Sequence, residues 1–417
     1  MADAGTRPFD AREVAESVAE SIVATPRGRF GAALGLATRE GRRLMALAAA
    51  ALLLAALLGL ALALVGSRHA ETGRLAFVRN GDIWVANLDG TAAKRIVAHD
   101  PAKPGSGCAG ARLSPDGTRL AAAIDTSGPG PAAGHRKIAF LTADGVSLGS
   151  FDVELGSTPV EGPAIAFAGS PDGNHVAVLA PQATLGGLWL LDNAGRLERE
   201  LDLPPGYRAA KPTTPLSISW SPDGRQLAIT GCPCGPENNG GWILAIDGSG
   251  DHAVQAPGAG NAVSVAWSPD GRELAIGSAK FIGPFDPGTP GELWLTDVDG
   301  GSAQRVAMTV ELLQVSDWSR DGTWIAFLEP SALDMVRADG SGTPVRIDAG
   351  TTATRWTARQ RLFYLVAPPN LAGADPSANG QAVGSIMVVD PAGGDPGVVV
   401  DGVDAFAPFD LHQTPGG

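Results

Sequence analysis

Residues 216–230 read Leu-Ser-Ile-Ser-Trp-Ser-Pro-Asp-Gly-Arg-Gln-Leu-Ala-Ile-Thr. An apolar stretch, Leu216 to Trp220, runs into Ser221-Pro222-Asp223-Gly224, and a second short apolar stretch, Gln226 to Thr230, leaves it at once. Proline presets φ early in the turn, Asp hydrogen-bonds to nearby backbone, and Gly accepts a positive φ. The segment therefore reads as two antiparallel strands joined by a tight turn. Downstream, Trp242 to Ile246, a second tight turn at Asp247-Gly248 and a stretch around Ala253 to Ala256 supply two more strands. Four short strands per unit is the grammar of a propeller blade.

The same turn recurs. Ser-Pro-Asp-Gly starts at Ser114, Ser170, Ser221 and Ser268, and Ser-Arg-Asp-Gly at Ser319, with spacings of 56, 51, 47 and 51 residues. A repeat of about 50 residues marks one supersecondary unit copied many times, each unable to bury its apolar faces alone. With the strands lettered A to D from the inside out, strand B is read seven times, near Leu75, Leu120, Val176, Leu227, Leu274, Ile325 and Leu362. The last follows Arg355-Trp356-Thr357-Ala358-Arg359-Gln360, a worn copy of the turn signature. The first copy lacks a strand A, and Val403 to Phe409 is an apolar stretch with no strand B after it. Joining the two closes the ring and removes its exposed edges. The expected fold is all-β: a seven-bladed β-propeller, six or eight blades being the alternatives, closed by both chain ends over 74–409, with 410–417 as a flexible tail. Trp220, Trp267, Trp318 and Trp356 end strand A, and Trp84, Trp189, Trp242 and Trp294 fall in strand C. Equivalent placement makes them wedges between sheets rather than ligand-stacking rings.

The succession of a strand, Trp-Ser-Pro-Asp-Gly, Leu-Ala-Ile and then Leu-Trp-Leu with Asp-Gly resembles the TolB-type repeat, which is WD-repeat-like and also occurs in the propeller domains of prolyl-oligopeptidase-like enzymes. The resemblance covers residues 74 to about 409 and implies a fold rather than an activity. TolB itself is a soluble periplasmic protein with a separate N-terminal domain that has no counterpart in this sequence, so its partners and role are not carried over.

Ahead of the propeller, Leu44 to Val65 is an uncharged apolar run of 22 residues, long enough to cross a bilayer as a helix. The run is longer than a secretory signal core and has a long segment before it, which favours an uncleaved anchor over a cleaved signal peptide. Arg27, Arg29, Arg39, Arg42 and Arg43 precede it, against Arg68, Arg74 and Arg79 after it. That bias keeps the N-terminus in the cytoplasm and the propeller outside. The expected division is a cytoplasmic segment over 1–43, a single transmembrane helix over 44–65 and a linker over 66–73. Within 1–43, Asp10 and Glu13 have capping-box spacing and Val14, Val18 and Ile22 recur every four residues before Pro26. One amphipathic helix results, either solvated or resting on the membrane, or docked to a cytoplasmic partner. The composition, with 26 Arg against five Lys and abundant Ala, Gly and Pro, suits a GC-rich bacterium.

Tight turns join A to B and C to D and so share one face, whereas the long connections, His99 to Gly110, Asp125 to His135, Gly231 to Gly241, Ala279 to Pro290 and Ala367 to Val383, crowd the other. Loops of that length in a compact repeat carry function or stay disordered. The loop-rich face is thus the expected binding surface, and the turn-rich face, a short linker from the helix, the membrane-proximal one.

Net charge is −13, and residues 1–69 hold eight basic and six acidic side chains, leaving −15 for the remainder. A nucleic-acid groove needs the opposite sign. Cys108, Cys232 and Cys234, all assigned to long loops on one face, are candidates for a disulfide, with free thiols or a metal site as alternatives; thiol counting under denaturing, non-reducing conditions separates the first two. No Gly-x-Ser-x-Gly elbow, no His-Glu-x-x-His and no histidine cluster is present, and Asp297-x-Asp299-Gly300 reads as a C-to-D turn rather than a calcium loop. The sequence accordingly points to no cofactor and to a noncatalytic, membrane-anchored, extracytoplasmic module that binds a protein, peptide or envelope ligand. The alternatives are a transmembrane regulator coupling the propeller to a cytoplasmic partner, and a propeller enzyme acting on a small substrate at the channel mouth.

Overall fold

The computed structural model describes residues 72–99, 107–125, 135–154, 165–180, 187–204, 217–230, 241–254, 261–279, 290–309, 314–329, 332–367, 383–391, 393, 395–404 and 409–413. They form seven four-stranded antiparallel sheets. In A-to-D order, blade 1 is Asp410–Gln413, Gly73–Arg79, Asp82–Asn87 and Lys94–Val97, and blade 2 is Gly107–Leu113, Arg119–Asp125, His135–Thr142 and Ser147–Glu154. Blade 3 is Ala166–Gly169, His175–Ala180, Gly187–Asp192 and Leu197–Leu201, and blade 4 is Ser217–Trp220, Gln226–Thr230, Gly241–Ala245 and Asp251–Val254. Blade 5 is Asn261–Trp267, Glu273–Ala279, Gly291–Asp297 and Ala303–Met308, and blade 6 is Gln314–Trp318, Trp324–Glu329, Ala332–Arg337 and Val345–Ala349. Blade 7 is Thr351–Trp356, Leu362–Val366, Val383–Val389 and Gly397–Asp404. All seven expected strand-B positions fall in B strands, and the propeller has seven blades.

The closure differs in one respect from the sequence reading. Val403 ends strand D of blade 7, and the strand that completes blade 1 is Asp410–Gln413, inside the segment read as a tail. It pairs Gly73 with Gln413, Arg74 with His412, Leu75 with Leu411 and Ala76 with Asp410. Polarity hides such a strand: Leu411 is its one apolar member, and the fully buried Phe409 just before it seats its start.

Two further differences concern the connections. Strand A of blade 2 begins at Gly107, so the segment after His99 is shorter than expected, and strands B and C of blade 1 are joined by Asn80 and Gly81 alone, at φ of 53° and 75°. Backbone N–H groups of both residues donate to Asp404 of blade 7, at 2.9 and 2.8 Å, pinning the turn to its neighbour. Residues 126–134, 231–240, 280–289 and 368–382 of the long connections lie outside the described residues, as do the apolar run 44–65 and the amphipathic segment before it.

The core is seven apolar clusters, each drawn from neighbouring blades. Trp220 packs with Leu179 and Leu188 of blade 3, Trp318 with Leu293 and Leu295 of blade 5, and Trp356 with Met335 and Leu333 of blade 6. Of the strand-C rings, Trp242 joins the cluster of Trp220, and Trp189 packs with Phe140 and Phe167 between blades 2 and 3. These tryptophans are wedges, as their equivalent positions implied.

The repeated turns share one hydrogen-bond circuit. In all five, the Ser Oγ donates to the Asp carboxylate at 2.5–2.7 Å and accepts from the backbone N–H five residues on at 2.8–3.0 Å. The Asp accepts from the N–H two residues on at 3.0–3.1 Å. Glycine sits at φ of 67–74°. The proline has a second role: a Cβ built on Gly173, Gly224, Gly271 or Gly322 would lie 3.1–3.9 Å from Pro115, Pro171, Pro222 or Pro269 of the preceding blade. The worn copy in blade 7 is one residue shorter, with Trp356 paired to Leu362 where Trp220 pairs with Leu227, and Gln360 takes the left-handed position at 62°.

Ser268 is buried, and Ser268→Ala strips the turn of the hydroxyl that donates to Asp270 and accepts from Glu273 N, so urea unfolding should show a loss of about 1–2 kcal/mol. The Ser hydroxyl and backbone N–H groups hold the Asp116 carboxyl down at about 2, and the serines on Asp223 and Asp270 act in the same direction. At Asp172 and Asp321 burial opposes this, and the Ser and backbone donors outweigh it. A carboxylate with a depressed folded pKa stabilises above its unfolded pKa and loses that contribution as pH falls through the folded value. The unfolding temperature should therefore drop between about pH 4 and about pH 2; a flat profile across that window would contradict the turn circuit.

Candidate functional site

Strand A is the innermost strand of each blade, and successive A strands contact one another around most of the ring. The residue one before the end of strand A in blades 2 to 7, and the first residue of that strand in blade 1, occupy the same register: Asp410, Arg112, Ala168, Ser219, Ala266, Asp317 and Arg355 in blades 1 to 7, pairing with Ala76, Ala121, Ala177, Ala228, Ala275, Ala326 and Phe363. Blades 3 to 5 carry small side chains there. Blades 6, 7, 1 and 2 carry Asp, Arg, Asp and Arg, an arc of alternating charge at the end of the ring where the A-to-B turns lie.

Each member of the arc reaches toward the next blade. Asp317 accepts from Trp356 N of blade 7 at 3.1 Å and from Trp318 N at 3.0 Å. Arg355 Nε donates to Asp410 Oδ1 of blade 1 at 2.9 Å, and Asp410 Oδ2 accepts from Leu113 N of blade 2 at 2.9 Å. Arg112 lies with its Cζ 5.5 Å from the Phe167 ring of blade 3. Burial pushes the Asp317 carboxyl up against the opposing pull of Arg355 and the Trp356 N–H. Burial also works against the charged form of Arg355, but Asp410 and Asp317 outweigh it and raise its pKa. At Arg112, burial and the nearby Arg355 charge pull the guanidinium down to about 10, with Asp410 acting the other way; it remains a cation at neutral pH.

Between blades 2 and 3 the inner rim opens into a cleft of about 30 Å³, whose lining includes Arg112, Leu113, Pro115, Phe140, Gly169 and Val176. Its origin is a substitution in the repeat. Blades 4 to 7 end strand A with Trp220, Trp267, Trp318 and Trp356, and blade 3 ends it with Gly169. A Cβ built on Gly169 would meet no atom within 4 Å. On the facing side, the small residues of blades 3 to 5, the blades preceding those of Trp220, Trp267 and Trp318, give way in blade 2 to Arg112, whose side chain lines the cleft.

The charged arc was missed in the sequence, although Asp317-Trp318-Ser319, Arg355-Trp356-Thr357 and Arg112-Leu113-Ser114 place the charges at a constant offset from the turn; aligning that column would have found them. Cys108 lies in strand A of blade 2 with its side chain outside the described set, and Cys232 and Cys234 lie outside the described residues altogether. Among the described residues no group of three or more His, Cys, Asp or Glu could hold a metal ion. Asp297 does form the C-to-D turn, with Gly300 N donating to Asp297 O at 2.8 Å and Ser302 Oγ to its carboxylate at 2.8 Å.

The fold defines the class: a seven-bladed β-propeller. No protein-family model and no curated protein matches the chain. Among solved structures its neighbours are TolB-type propellers. It aligns with a TolB-like protein of Agrobacterium tumefaciens at 16% identity over 83% of this chain and 99% of that one, TM-score 0.41. With TolB of Acinetobacter baumannii the identity is 17% over 64% of this chain and 62% of that one, TM-score 0.42. A hydrazine synthase of Kuenenia stuttgartiensis aligns at 12% identity over 62% and 71%, TM-score 0.44. These are likenesses of fold.

Asp410→Ala should strip the Arg355 guanidinium of its hydrogen-bonded carboxylate and leave the Leu113 N–H without its acceptor at the closing seam, lowering stability by about 3–5 kcal/mol in urea unfolding. A loss under about 1 kcal/mol, the range of an exposed pair, would mean that the seam does not depend on it.

Proposed function

We propose that the protein is a membrane-anchored, extracytoplasmic binding module that holds a protein or peptide partner at the inner rim of its propeller. The observation that carries this reading is the rim itself. Charges of both signs and an open apolar cleft sit on rigid strand ends, a mixture suited to a polypeptide with its alternating polar and apolar groups. The two acids of the arc are occupied in bonding, Asp410 with Arg355 and the Leu113 N–H and Asp317 with two backbone N–H groups. Such commitments suit recognition better than proton transfer, which needs an acid free to exchange. The cluster lies at the turn-side mouth, the opposite face from the long loops, so this reading moves the partner contact from the loop-rich face that the sequence favoured to the turn-rich one. The apolar run Leu44 to Val65 supports the anchor, and the arginine bias around it supports an outer propeller.

Two measurements test this. A photocrosslinking residue placed at Asn174 or Arg320, both exposed on A-to-B turns, should give a discrete adduct in cells expressing the full chain, while one at Leu197 on an outer strand should not. Equal labelling at all three positions, or none at either turn, overturns the assignment. Protease added to whole cells should remove a C-terminal tag; complete protection rules out an outer propeller.

A further inference from the structure

The cleft between blades 2 and 3 holds an unusual cation. Arg112 has five N–H donors, and its one hydrogen bond among the described residues runs from Nη1 to Ala111 O at 3.1 Å. The carboxylate beside it, Asp410, is already engaged by Arg355 and Leu113 N. A half-buried guanidinium with most of its fork unused is costly unless something accepts from it. Water can do so, and a cavity of about 30 Å³ has room for roughly two such molecules. Two waters are also about the size of one carboxylate head group, which matches a guanidinium fork with two parallel hydrogen bonds. One further guanidinium, Arg119, lines the same cleft; the His175 imidazole also lines it but lies 3.1 Å from Glu198 and 3.8 Å from Asp172. The walls formed by Leu113, Phe140 and Val176 would cover the carbon next to such a head group.

We infer that this cleft is a carboxylate subsite, in which Arg112 receives an acidic side chain or the chain terminus of the partner. It rests on the binding-module reading and names the partner's chemistry. The fold supplies its own blocking variant. Gly169 has ordinary strand backbone and open space at its Cβ, and four other blades accommodate a tryptophan at this position, so Gly169→Trp should fold while filling the cleft.

The test is thermal unfolding of the full chain at fixed ionic strength, with sodium acetate replacing sodium chloride. Acetate should raise the unfolding temperature of the wild type by about 1–3 °C and then saturate, and both Arg112→Gln and Gly169→Trp should abolish the rise. Two blocked tripeptides separate the sources: acetyl-Gly-Asp-Gly-amide offers only a side-chain carboxylate, and acetyl-Gly-Gly-Gly only a terminal one. Whichever reproduces the acetate effect identifies the group the subsite takes. No rise with any carboxylate, or an equal rise in wild type and Gly169→Trp, overturns the subsite. Failure of the binding-module reading would show separately, as loss of the crosslinked adduct at Asn174 and Arg320.

Discussion

The pairing of Asp410–Gln413 with Gly73–Ala76 is the constraint through which the rest of the propeller acts, because six sound interfaces without it would leave an open array with two bare sheet edges. Four residue pairs are a short join for so large a ring, and the join is reinforced from both sides by one side chain. Asp410 ties blade 1 to blade 7 through Arg355 and to blade 2 through Leu113 N. His412, in the same strand, is nearly buried, and burial pushes its imidazole below the usual range, favouring a neutral ring in the seam. Polar stapling suits this point because the apolar wedge is weaker than in blades 4 to 7: blade 1 offers Leu411 and blade 2 Leu113 where those blades offer indole rings.

That substitution pattern shows two solutions to one geometric problem. Radially arranged sheets diverge outward and meet at the inner rim, so each interface must be filled from one side or the other. Across the 3–4 interface the ring comes from Trp220, whose Nε1 donates to Ala168 O at 3.0 Å, and the facing residue is small. Across the 2–3 interface Gly169 gives way and Arg112 fills from the opposite side. An aliphatic stem with a charged tip is a poorer filler than an indole: its stem packs, but its head must keep polar company. The cleft is the volume that this exchange leaves over.

How much of this was legible follows from what each residue type does locally. The turns were readable because Ser, Pro, Asp and Gly act within six residues of chain, and repetition multiplied the signal. Blade count and the tryptophan wedges followed, since equivalent sequence positions become equivalent places in a repeat. The closing strand was placed too early because Val403 extends an apolar run that belongs to strand D, while Asp410–Gln413 carries charge and polarity that only its contacts with blades 2 and 7 explain. The second role of proline, against the turn glycine of the next blade, was invisible for the same reason: neighbouring turns are some 50 residues apart in sequence. Arg112 and Gly169 each look unremarkable alone and acquire meaning only as a facing pair.

The placement of charge also bears on selectivity. The chain beyond residue 69 carries a net −15, so an acidic ligand approaches against an unfavourable field that salt would screen. Within the cleft the balance reverses locally, because Arg112 is partly buried, the Asp410 carboxylate beside it is engaged by Arg355 and Leu113 N, and interactions at a partly buried rim are screened less than those at the surface. A free acidic peptide would thus be discouraged at long range and held only when its carboxylate reaches the wedge. Discrimination of this kind comes from pairing a repulsive surround with one attractive point rather than from affinity alone. In this propeller the two are separable, since the surround is spread over many turn aspartates that hold backbone in shape while the attractive point is a single arginine in the one wedge that lost its tryptophan to a glycine.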